Sequence, residues 1–309
     1  MDQKRLNPPL WPDWPECTAS MPPASTNLRD SLQLAENRLS RAGVDNPRLS
    51  ADLLVARILG VDRLWVLTHP DAELDPEQAR AYSEMVGLRA AGRPVAYFLG
   101  KREFYGRDFQ VTPDVLIPRP ETEVLVERAG SLWPSGADLA FADAGTGCGA
   151  IGVCFGALFP NSRGVLTDRS MAALRVAQMN VAAHGLSSRL MCICADLVSA
   201  CPPGSLDAVL SNPPYISGPD YWQLSQEIRH FEPALALCGG IRGTEIQMRL
   251  IQQARTALRA GGWLCMEVGY DQAPALKNRM QTLWSGQWSE VGVVQDLAGR
   301  DRVLMARKV

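Results

Sequence analysis

The most constraining feature of this chain is an apolar segment that runs directly into three alternate glycines. Residues 139–143 have the composition of a buried strand, and Ala144-Gly-Thr-Gly-Cys-Gly-Ala-Ile151 joins them to an apolar helical stretch. Glycines at alternate positions let the backbone approach a bound molecule without Cβ clashes, and the start of the helix offers free N–H groups. A ligand is therefore predicted at the carboxyl end of this strand.

Short apolar segments alternate with helical ones through the rest of the chain. This alternation is typical of a mostly parallel, doubly wound α/β sheet with helices on both faces. Strands are predicted over residues 139–143, 164–168, 190–194, 207–211, 263–268 and 302–306.

The first third of the chain is organised differently. Repeated prolines indicate a mobile tail in which Trp11 and Trp14 are candidate docking points. Apolar residues at helical spacing then predict a helical domain suited to partner recognition, and β-favouring runs such as Val95 to Leu99 predict a hairpin that links two domains. The predicted domains are a tail over 1–26, a helical domain over 27–92, a β-hairpin linker over 93–122 and a sheet domain over 123–309.

Composition excludes several classes of protein. Lys and Arg total 31 against 33 Asp and Glu, so no strong positive field favours direct nucleic-acid binding. No apolar run is long enough to cross a bilayer, so we expect no membrane association and a cytoplasmic location. The 8 cysteines include no C-x-x-C pair and only 3 histidines accompany them, so we expect reduced thiols and no metal site.

Acidic side chains follow three of the predicted strands. Asp143 is suited to a cationic amino group, and Asp168 can accept hydrogen bonds from both ribose hydroxyls of an adenosine. Asp196 and Leu197 are placed to border the adenine. These residues predict a nucleoside cofactor across the strand ends.

The glycine spacing leaves alternatives open. Gly145-x-Gly147-x-x-Ala150 also fits the dinucleotide fingerprint, so a nicotinamide-dependent oxidoreductase remains an alternative. A tight turn without any ligand is a third interpretation, although three alternate glycines are costly without one.

Ser211-Asn-Pro-Pro-Tyr215 follows the fourth predicted strand and faces the same crevice. The prolines stiffen the backbone and leave carbonyl acceptors, and Asn212 adds a side-chain oxygen, so a planar NH2 group can be held by both hydrogens. Acceptors on both N–H groups favour positive charge on an attacking amide nitrogen. Asn212, Pro213, Pro214 and Tyr215 are therefore the predicted catalytic residues, with an ordinary proline turn as the alternative.

These motifs make the chain from Leu28 to Arg307 resemble the release-factor glutamine N5-methyltransferase family. The matching stretches are Arg93-Pro-Val-Ala-Tyr97, Glu103-Phe-Tyr-Gly106, Val115-Leu-Ile-Pro-Arg-Pro-Glu-Thr-Glu123, the loop 145–149, Ser211-Asn-Pro-Pro-Tyr-Ile216 and Asp296-Leu-Ala-Gly-Arg-Asp-Arg302.

The resemblance implies a Rossmann-like class I methyltransferase with a small N-terminal helical domain, S-adenosyl-L-methionine as cofactor and peptide chain release factors as protein substrates. The target it implies is the glutamine of a Gly-Gly-Gln motif, held by residues 212–215. A monomer is expected. The cofactor contacts that the resemblance implies are Gly145, Thr146, Gly147, Cys148, Gly149, Asp168, Leu197 and Asn212.

A sister family methylates a glutamine of a ribosomal protein, and in that family Ser usually follows the Arg that corresponds to Arg119. Pro120-Glu-Thr-Glu123 therefore favours release factors. Arg119 and Glu121 are interpreted as flanking the mouth of the site, with a stiff linker as the alternative. Glu232 and Glu267 are either acceptors behind the site or plain surface and cap residues.

Three positions depart from the family pattern: Ala144, Cys148 and the segment 240–244. The departure in segment 240–244 weakens any functional role that could be assigned to this loop. Two further functions stay open, namely methylation of a flipped-out nucleic-acid base and a non-catalytic cofactor sensor.

Overall fold

The computed structural model describes residues 26–309, so the predicted tail, with Trp11 and Trp14, lies outside the described residues except for Thr26. The chain divides after Arg93 into two compact units, the second being Pro94–Val309. Among residues 26–309, no helix combines the length and the apolar character that crossing a membrane requires.

The described part of the first unit, residues 26–93, is helical, and its helices begin and end at residues that local chemistry favours. The Asn27 side chain accepts a hydrogen bond from the Asp30 amide at the start of the first helix. Asp75 and Gln78 form a reciprocal capping box, and Gly60 ends a helix in the left-handed conformation. The helices are α1 (Leu28–Arg41), α2 (Pro47–Leu59), α3 (Arg63–Thr68) and α4 (Pro76–Ala90).

The predicted strand at Val95 to Leu99 is wrong, because these residues form helix α5 (Val95–Leu99). Pro94 precedes the helix and Gly100 ends it in the left-handed region, while Tyr97 and Phe98 are buried. Burial of the two rings decides the conformation against the β preference of the local sequence. The hairpin follows as β1 (Lys101–Phe104) and β2 (Arg107–Gln110), and it belongs to the second unit.

The second unit is built on a seven-stranded sheet with helices on both faces. Its strands are β3 (Ala140–Ala144), β4 (Arg163–Asp168), β5 (Leu190–Cys194), β6 (Leu206–Ser211), β9 (Leu258–Glu267), β10 (Trp288–Gln295) and β11 (Asp301–Lys308), and a separate pair is β7 (Ile216–Ser217) with β8 (Cys238–Gly240). The helices are α6 (Glu123–Gly130), α7 (Ala150–Leu158), α8 (Met171–Ala183), α9 (Gly218–Tyr221), α10 (Gln226–Phe231), α11 (Glu245–Ala257) and α12 (Ala273–Leu283).

The strand order β10-β11-β9-β6-β3-β4-β5 fixes where a ligand belongs. Strands β5, β4, β3, β6 and β9 are parallel, so their carboxyl ends share one edge. Strand β11 pairs antiparallel with β9, and β10 pairs antiparallel with β11. The chain leaves β3 toward β4 and returns to the other side of β3 with β6. This switch of direction opens a crevice beyond the ends of β3 and β6.

The sheet has an apolar layer on each face, because successive side chains of a strand point to opposite sides. On β3, Phe141 packs with Phe155 of α7 in one layer, while Ala142 belongs to the other layer together with Leu250 of α11. These four side chains are essentially fully buried.

Asn180 of α8 is a buried polar residue that connects the hairpin to the glycine loop. Its Nδ2 donates to the carbonyls of Gln110 at 3.0 Å and Cys148 at 2.8 Å, and its Oδ1 accepts from the Gln110 amide at 2.7 Å. The side chain is 0% exposed, and its bond to the Cys148 carbonyl is buried, while the two bonds to Gln110 are partly buried.

Replacing Asn180 by Ala should lower the free energy of unfolding by about 2–4 kcal/mol, because the buried Cys148 carbonyl and the partly buried Gln110 backbone groups lose their partners. Urea denaturation of the full chain measures this difference. The exposed Asn278 of α12 is the matched control, and N278A should change stability by less than about 0.5 kcal/mol. Equal effects of the two variants would contradict the assignment.

Candidate active site

The glycine loop after β3 has a backbone that only glycine adopts without strain. Gly145, Gly147 and Gly149 have φ angles of 70°, 55° and 89°, all in the left-handed region. A Cβ at Gly145 or Gly147 would meet no atom of the protein within 4 Å. The space beside the loop is therefore open, and the backbone itself forms one wall of it.

Asp143 braces this loop from below and does not line the open space. Its Oδ2 accepts hydrogen bonds from Thr146 Oγ1 at 2.6 Å and from the Gly152 amide at 2.8 Å. Burial raises the pKa of Asp143 to about 6, while these two bonds pull it down. Its Oδ1 is buried and has no hydrogen-bond partner among the described residues.

Cys148 also lies under the loop. Its thiol is buried in the apolar layer, and burial raises the pKa of Cys148 to about 12. A neutral, buried thiol contributes volume and no charge. The departure from the family pattern at this position therefore affects packing, and it leaves the backbone surface of the loop unaltered.

Asp168 ends β4 beside the loop. Its Oδ2 accepts from the Gly147 amide at 3.0 Å and its Oδ1 from the Ser170 amide at 2.9 Å. A carboxylate has about four lone-pair positions, so each oxygen keeps capacity for another donor. Beyond β5, Asp196 Oδ1 accepts from Arg249 at 3.1 Å, and Leu197 takes a φ of 53°.

These residues surround a cleft lined by 20 residues, which we call the large cleft. The apolar part of the lining comes from several elements and the polar part from strand ends. The lining includes Val115, Gly145, Gly147, Asp168, Ala195, Asp196, Leu197, Asn212, Pro214, Leu235, Ile246 and Arg249.

A second cleft, lined by nine residues, which we call the side cleft, meets the large one at Asn212. Asn212 lines both clefts, Pro214 lines the large one, and Tyr215 lines the side one. Pro213 is buried and lines neither. The other residues of the side cleft are mainly apolar: Leu116, Arg119, Ile216, Leu224, Ile228, Ala236 and Leu237.

Behind Asn212 lies a buried hydrogen-bond network that the sequence did not reveal. Asn212 Nδ2 donates to Thr122 Oγ1 at 3.1 Å, and Thr122 Oγ1 donates to Glu267 Oε2 at 2.6 Å. The Tyr215 hydroxyl donates to Glu267 Oε1 at 3.3 Å. Thr122 is 4% exposed and Glu267 1%, so Glu267 is the buried acceptor of this network and not a surface residue.

Two opposing effects set the charge of Glu267. Burial raises the pKa of Glu267 to about 6, and the bond from Thr122 and the charge of Arg302 lower it. The same environment raises the pKa of Tyr215, first through burial and then through the charge of Glu267. Near neutral pH the carboxyl is ionised and the phenol keeps its proton.

Glu232 fixes the segment that contains Arg119. It is 5% exposed and accepts from the Ile117 amide at 3.1 Å and from Arg119 at 2.5 Å. Arg119 lines the side cleft, whereas Glu121 is exposed and lines neither cleft. The sequence alternative that made Glu232 a surface residue is wrong.

Gly239 and Gly243 pack against the Asn-Pro-Pro-Tyr backbone, and Gly243 belongs to the segment 240–244 that departs from the family pattern. A Cβ at Gly239 would lie 2.5 Å from the Pro214 carbonyl oxygen and 2.8 Å from the Tyr215 Cα. A Cβ at Gly243 would collide with the Tyr215 carbonyl oxygen. Tandem glycines before α11 were the available signal, but only the fold shows what they approach.

The structure thus brings most of the predicted site residues to one place. The predicted residues that line a cleft are Gly145, Gly147, Asp168, Asp196, Leu197, Asn212, Pro214, Tyr215 and Arg119, and those that lie behind or beside the lining are Asp143, Thr146, Cys148, Gly149, Pro213 and Glu121. Within residues 26–309, no group of three or more His, Cys, Asp or Glu side chains is arranged to hold a metal ion.

The fold resembles known methyltransferases. The hMettl16 catalytic domain, solved with the MAT2A 3′UTR hairpin 6, aligns at a TM-score of 0.53 with 18% identity, covering 72% of this chain and 81% of that one. Residues 122–231 match the methyltransferase small domain, and residues 30–100 match the PrmC N-terminal domain. A doubly wound sheet, a glycine loop and an Asn-Pro-Pro-Tyr segment at the strand ends define a Rossmann-like class I methyltransferase.

Two full-length relatives give the family. A release factor glutamine methyltransferase of Nitratidesulfovibrio vulgaris is 42% identical over 292 residues, covering 93% of this chain and 98% of the relative. That of Koribacter versatilis is 38% identical, covering 91% of this chain and 98% of the relative. The chain belongs to the release factor glutamine methyltransferase family.

The substitution Glu267→Gln tests whether burial raises the pKa of the Glu267 carboxyl group. A carboxyl whose pKa rises from 4.5 to about 6 on folding stabilises the fold below pH 4.5, and this contribution is lost as the pH rises through 6. The free energy of unfolding of E267Q relative to the natural chain should therefore increase by about 2 kcal/mol between about pH 4.5 and pH 7.5. Chemical denaturation at both pH values measures it, and a pH-independent difference would contradict it.

Gly239→Ala should displace the Asn-Pro-Pro-Tyr segment, since the new methyl group has no space beside Pro214. We expect methyltransferase turnover to fall on the order of 100-fold, as a displacement of about 1 Å is enough for such a loss. Gly292→Ala is the matched control, because a Cβ there would meet nothing closer than 4.0 Å. Steady-state kinetics of both variants compare the two sites, and normal turnover of G239A would refute the close packing.

Proposed function

We propose that this enzyme transfers the methyl group of S-adenosyl-L-methionine to the side-chain amide nitrogen of the glutamine in the Gly-Gly-Gln motif of peptide chain release factors. The products are N5-methylglutamine and S-adenosylhomocysteine. The observation that carries the proposal is the position of Asn212, which lines both the large and the side cleft. The names of the full-length relatives support the choice of substrate.

The large cleft has groups that fit each part of the proposed cofactor. Asp168 keeps acceptor capacity for the ribose hydroxyls, and Leu197 and Ala195 offer apolar surface for the adenine beside Asp196. The bare backbone at Gly145 and Gly147 permits close approach. When bound, the cofactor supplies an electrophilic methyl group on a sulfonium sulfur.

Four residues predicted as cofactor contacts take a supporting part in this proposal. Thr146 and Gly149 hold the loop in its left-handed turns, and Cys148 fills the apolar layer beneath it. Asp143 ties the loop to α7 through the Gly152 amide, and it acts on the cofactor through the shape of the loop.

The side cleft suits the glutamine of a protein substrate. Its aliphatic walls, at Leu224, Ile228 and Leu237, match the methylene groups of that side chain. Tyr215 offers the face of its ring to the carboxamide, and Arg119, held by Glu232, stands beside the opening. Glu121, which is exposed nearby, is proposed to contact the substrate protein outside the cleft.

Asn212 and the adjacent proline carbonyls make the amide nitrogen of the substrate more reactive. An amide nitrogen is a weak nucleophile because its lone pair is delocalised into the carbonyl group. Acceptors on both N–H bonds stabilise the positive charge that grows on nitrogen during attack. Alignment of nitrogen and methyl group supplies further rate, and the nitrogen releases its proton afterwards, so no strong general base is required.

The proposal also gives a role to each part of the chain. The helical residues 27–92 are proposed to recognise the release factor, with the hairpin region 93–122 as connection and residues 123–309 as the catalytic domain. A monomer acting on protein, without direct nucleic-acid contact, is sufficient for this reaction. Because release factors act at the ribosome, a cytoplasmic location belongs to the proposal.

Incubation of purified release factors with the enzyme and S-adenosyl-L-methionine should add one methyl group to the motif glutamine, located by fragmentation mass spectrometry. N212A should reduce turnover by on the order of 100-fold or more, since it removes one acceptor for the amide. Calorimetry of the variant with the cofactor separates chemistry from cofactor binding. Methylation of a different residue, or of ribosomal protein only, would refute the proposed substrate.

A further inference from the structure

We propose that Thr122 and Glu267 are positioning residues that fix which end of the Asn212 side-chain amide faces the substrate, and that they thereby make the site select a carboxamide over a carboxylate. This inference rests on the proposed function. It concerns two side chains that touch neither proposed reactant and act through Asn212.

The direction of the network follows from counting protons. An ionised carboxylate only accepts hydrogen bonds, so Thr122 must donate its single hydroxyl proton to Glu267. The distance of 2.6 Å between Thr122 Oγ1 and Glu267 Oε2 is that of a charge-assisted bond. With its proton used, Thr122 Oγ1 can only accept from Asn212.

The orientation of the Asn212 side-chain amide, that is, which way its Nδ2 and its Oδ1 point, is therefore fixed. Its Nδ2 donates to Thr122 at 3.1 Å, and its Oδ1 is left on the opposite side with no partner among residues 26–309. A half-turn of the amide would place Oδ1 against the Thr122 oxygen, acceptor against acceptor. The substrate-facing end is thus an acceptor because of groups that lie behind it.

Burial makes this assignment strict. Thr122 is 4% exposed and Glu267 is 1% exposed, so water does not readily replace either partner. Glu267 is held in turn by the Tyr215 hydroxyl at 3.3 Å and by the nearby charge of Arg302. The network joins the segment before α6, the end of β6 and the end of β9 into one polar unit.

The consequence is selectivity between two side chains of nearly equal shape. A glutamine presents N–H donors to Asn212 Oδ1, whereas a glutamate presents another acceptor and a negative charge. A site built for a hydrogen-bond donor rejects an isostere that lacks it far better than an apolar pocket rejects a difference in size. Loss of the assignment should therefore reduce discrimination as well as rate.

The test compares Thr122→Val, which has the same shape without the hydroxyl, with Thr122→Ser, which keeps it. Methylation of a full-length release factor gives kcat and KM, and a release factor with glutamate at the motif position serves as the competitive inhibitor. We expect T122V to lose on the order of 10- to 100-fold in kcat/KM and to be inhibited better by the glutamate protein. Its affinity for S-adenosyl-L-methionine should stay within about 3-fold, and T122S should restore most of the rate.

The control for the substitution itself is Thr282→Val, at an exposed threonine of α12, which should leave all parameters unchanged. Thr122→Ala is the second variant if T122V does not fold, and the same losses are expected of it. A folded T122V or T122A with full rate and full discrimination overturns the inference. Failure of the natural enzyme to methylate the release factor is a separate result, which would refute the proposed function instead.

Discussion

The site depends on one constraint of parallel sheets, namely that neighbouring strands end along the same edge. Each strand of the parallel set delivers one polar group there: the glycine loop braced by Asp143 after β3, Asp168 after β4, Asp196 after β5, Asn212 after β6 and Glu267 at the end of β9. No single segment contains the site, and none of these groups would meet another without the sheet. The reversal of chain direction at β3 then opens the space that they surround.

Two carboxyl groups at this edge are fully withdrawn from water, and this is unfavourable for stability near neutral pH. Asp143 and Glu267 both have a pKa raised to about 6 by burial, so both carry charge in an apolar setting at pH 7. Each offsets part of that cost by accepting hydrogen bonds from the segment it holds: Thr146 and Gly152 for one, Thr122 and Tyr215 for the other. The carboxylates thereby hold in place the glycine loop and the Asn-Pro-Pro-Tyr segment, both of which line the clefts.

What the sequence could predict was local in character. The glycine loop and the Asn-Pro-Pro-Tyr segment are contiguous, and their chemistry is readable because each motif carries its own geometry. Thr122 was inside a matching motif, yet nothing in its neighbours indicates that it reaches Asn212, 90 positions away. Helix α5 was predicted as a strand because burial of Tyr97 and Phe98 overrides local preference. For Cys148 the sequence could not indicate that the thiol lies in the apolar layer, since the packing of the loop decides which side of it meets the cleft.

The glycines behind the Asn-Pro-Pro-Tyr segment determine where this part of the chain is free to drift during evolution. Gly239 and Gly243 touch the backbone that positions Asn212, so a larger residue at either place would reshape the reaction centre. Between them Ile241 is 83% exposed, and Arg242 is also on the surface. The unusual residues between the two glycines are therefore free to vary. The glycines on each side of them cannot be replaced by larger residues without loss of catalysis.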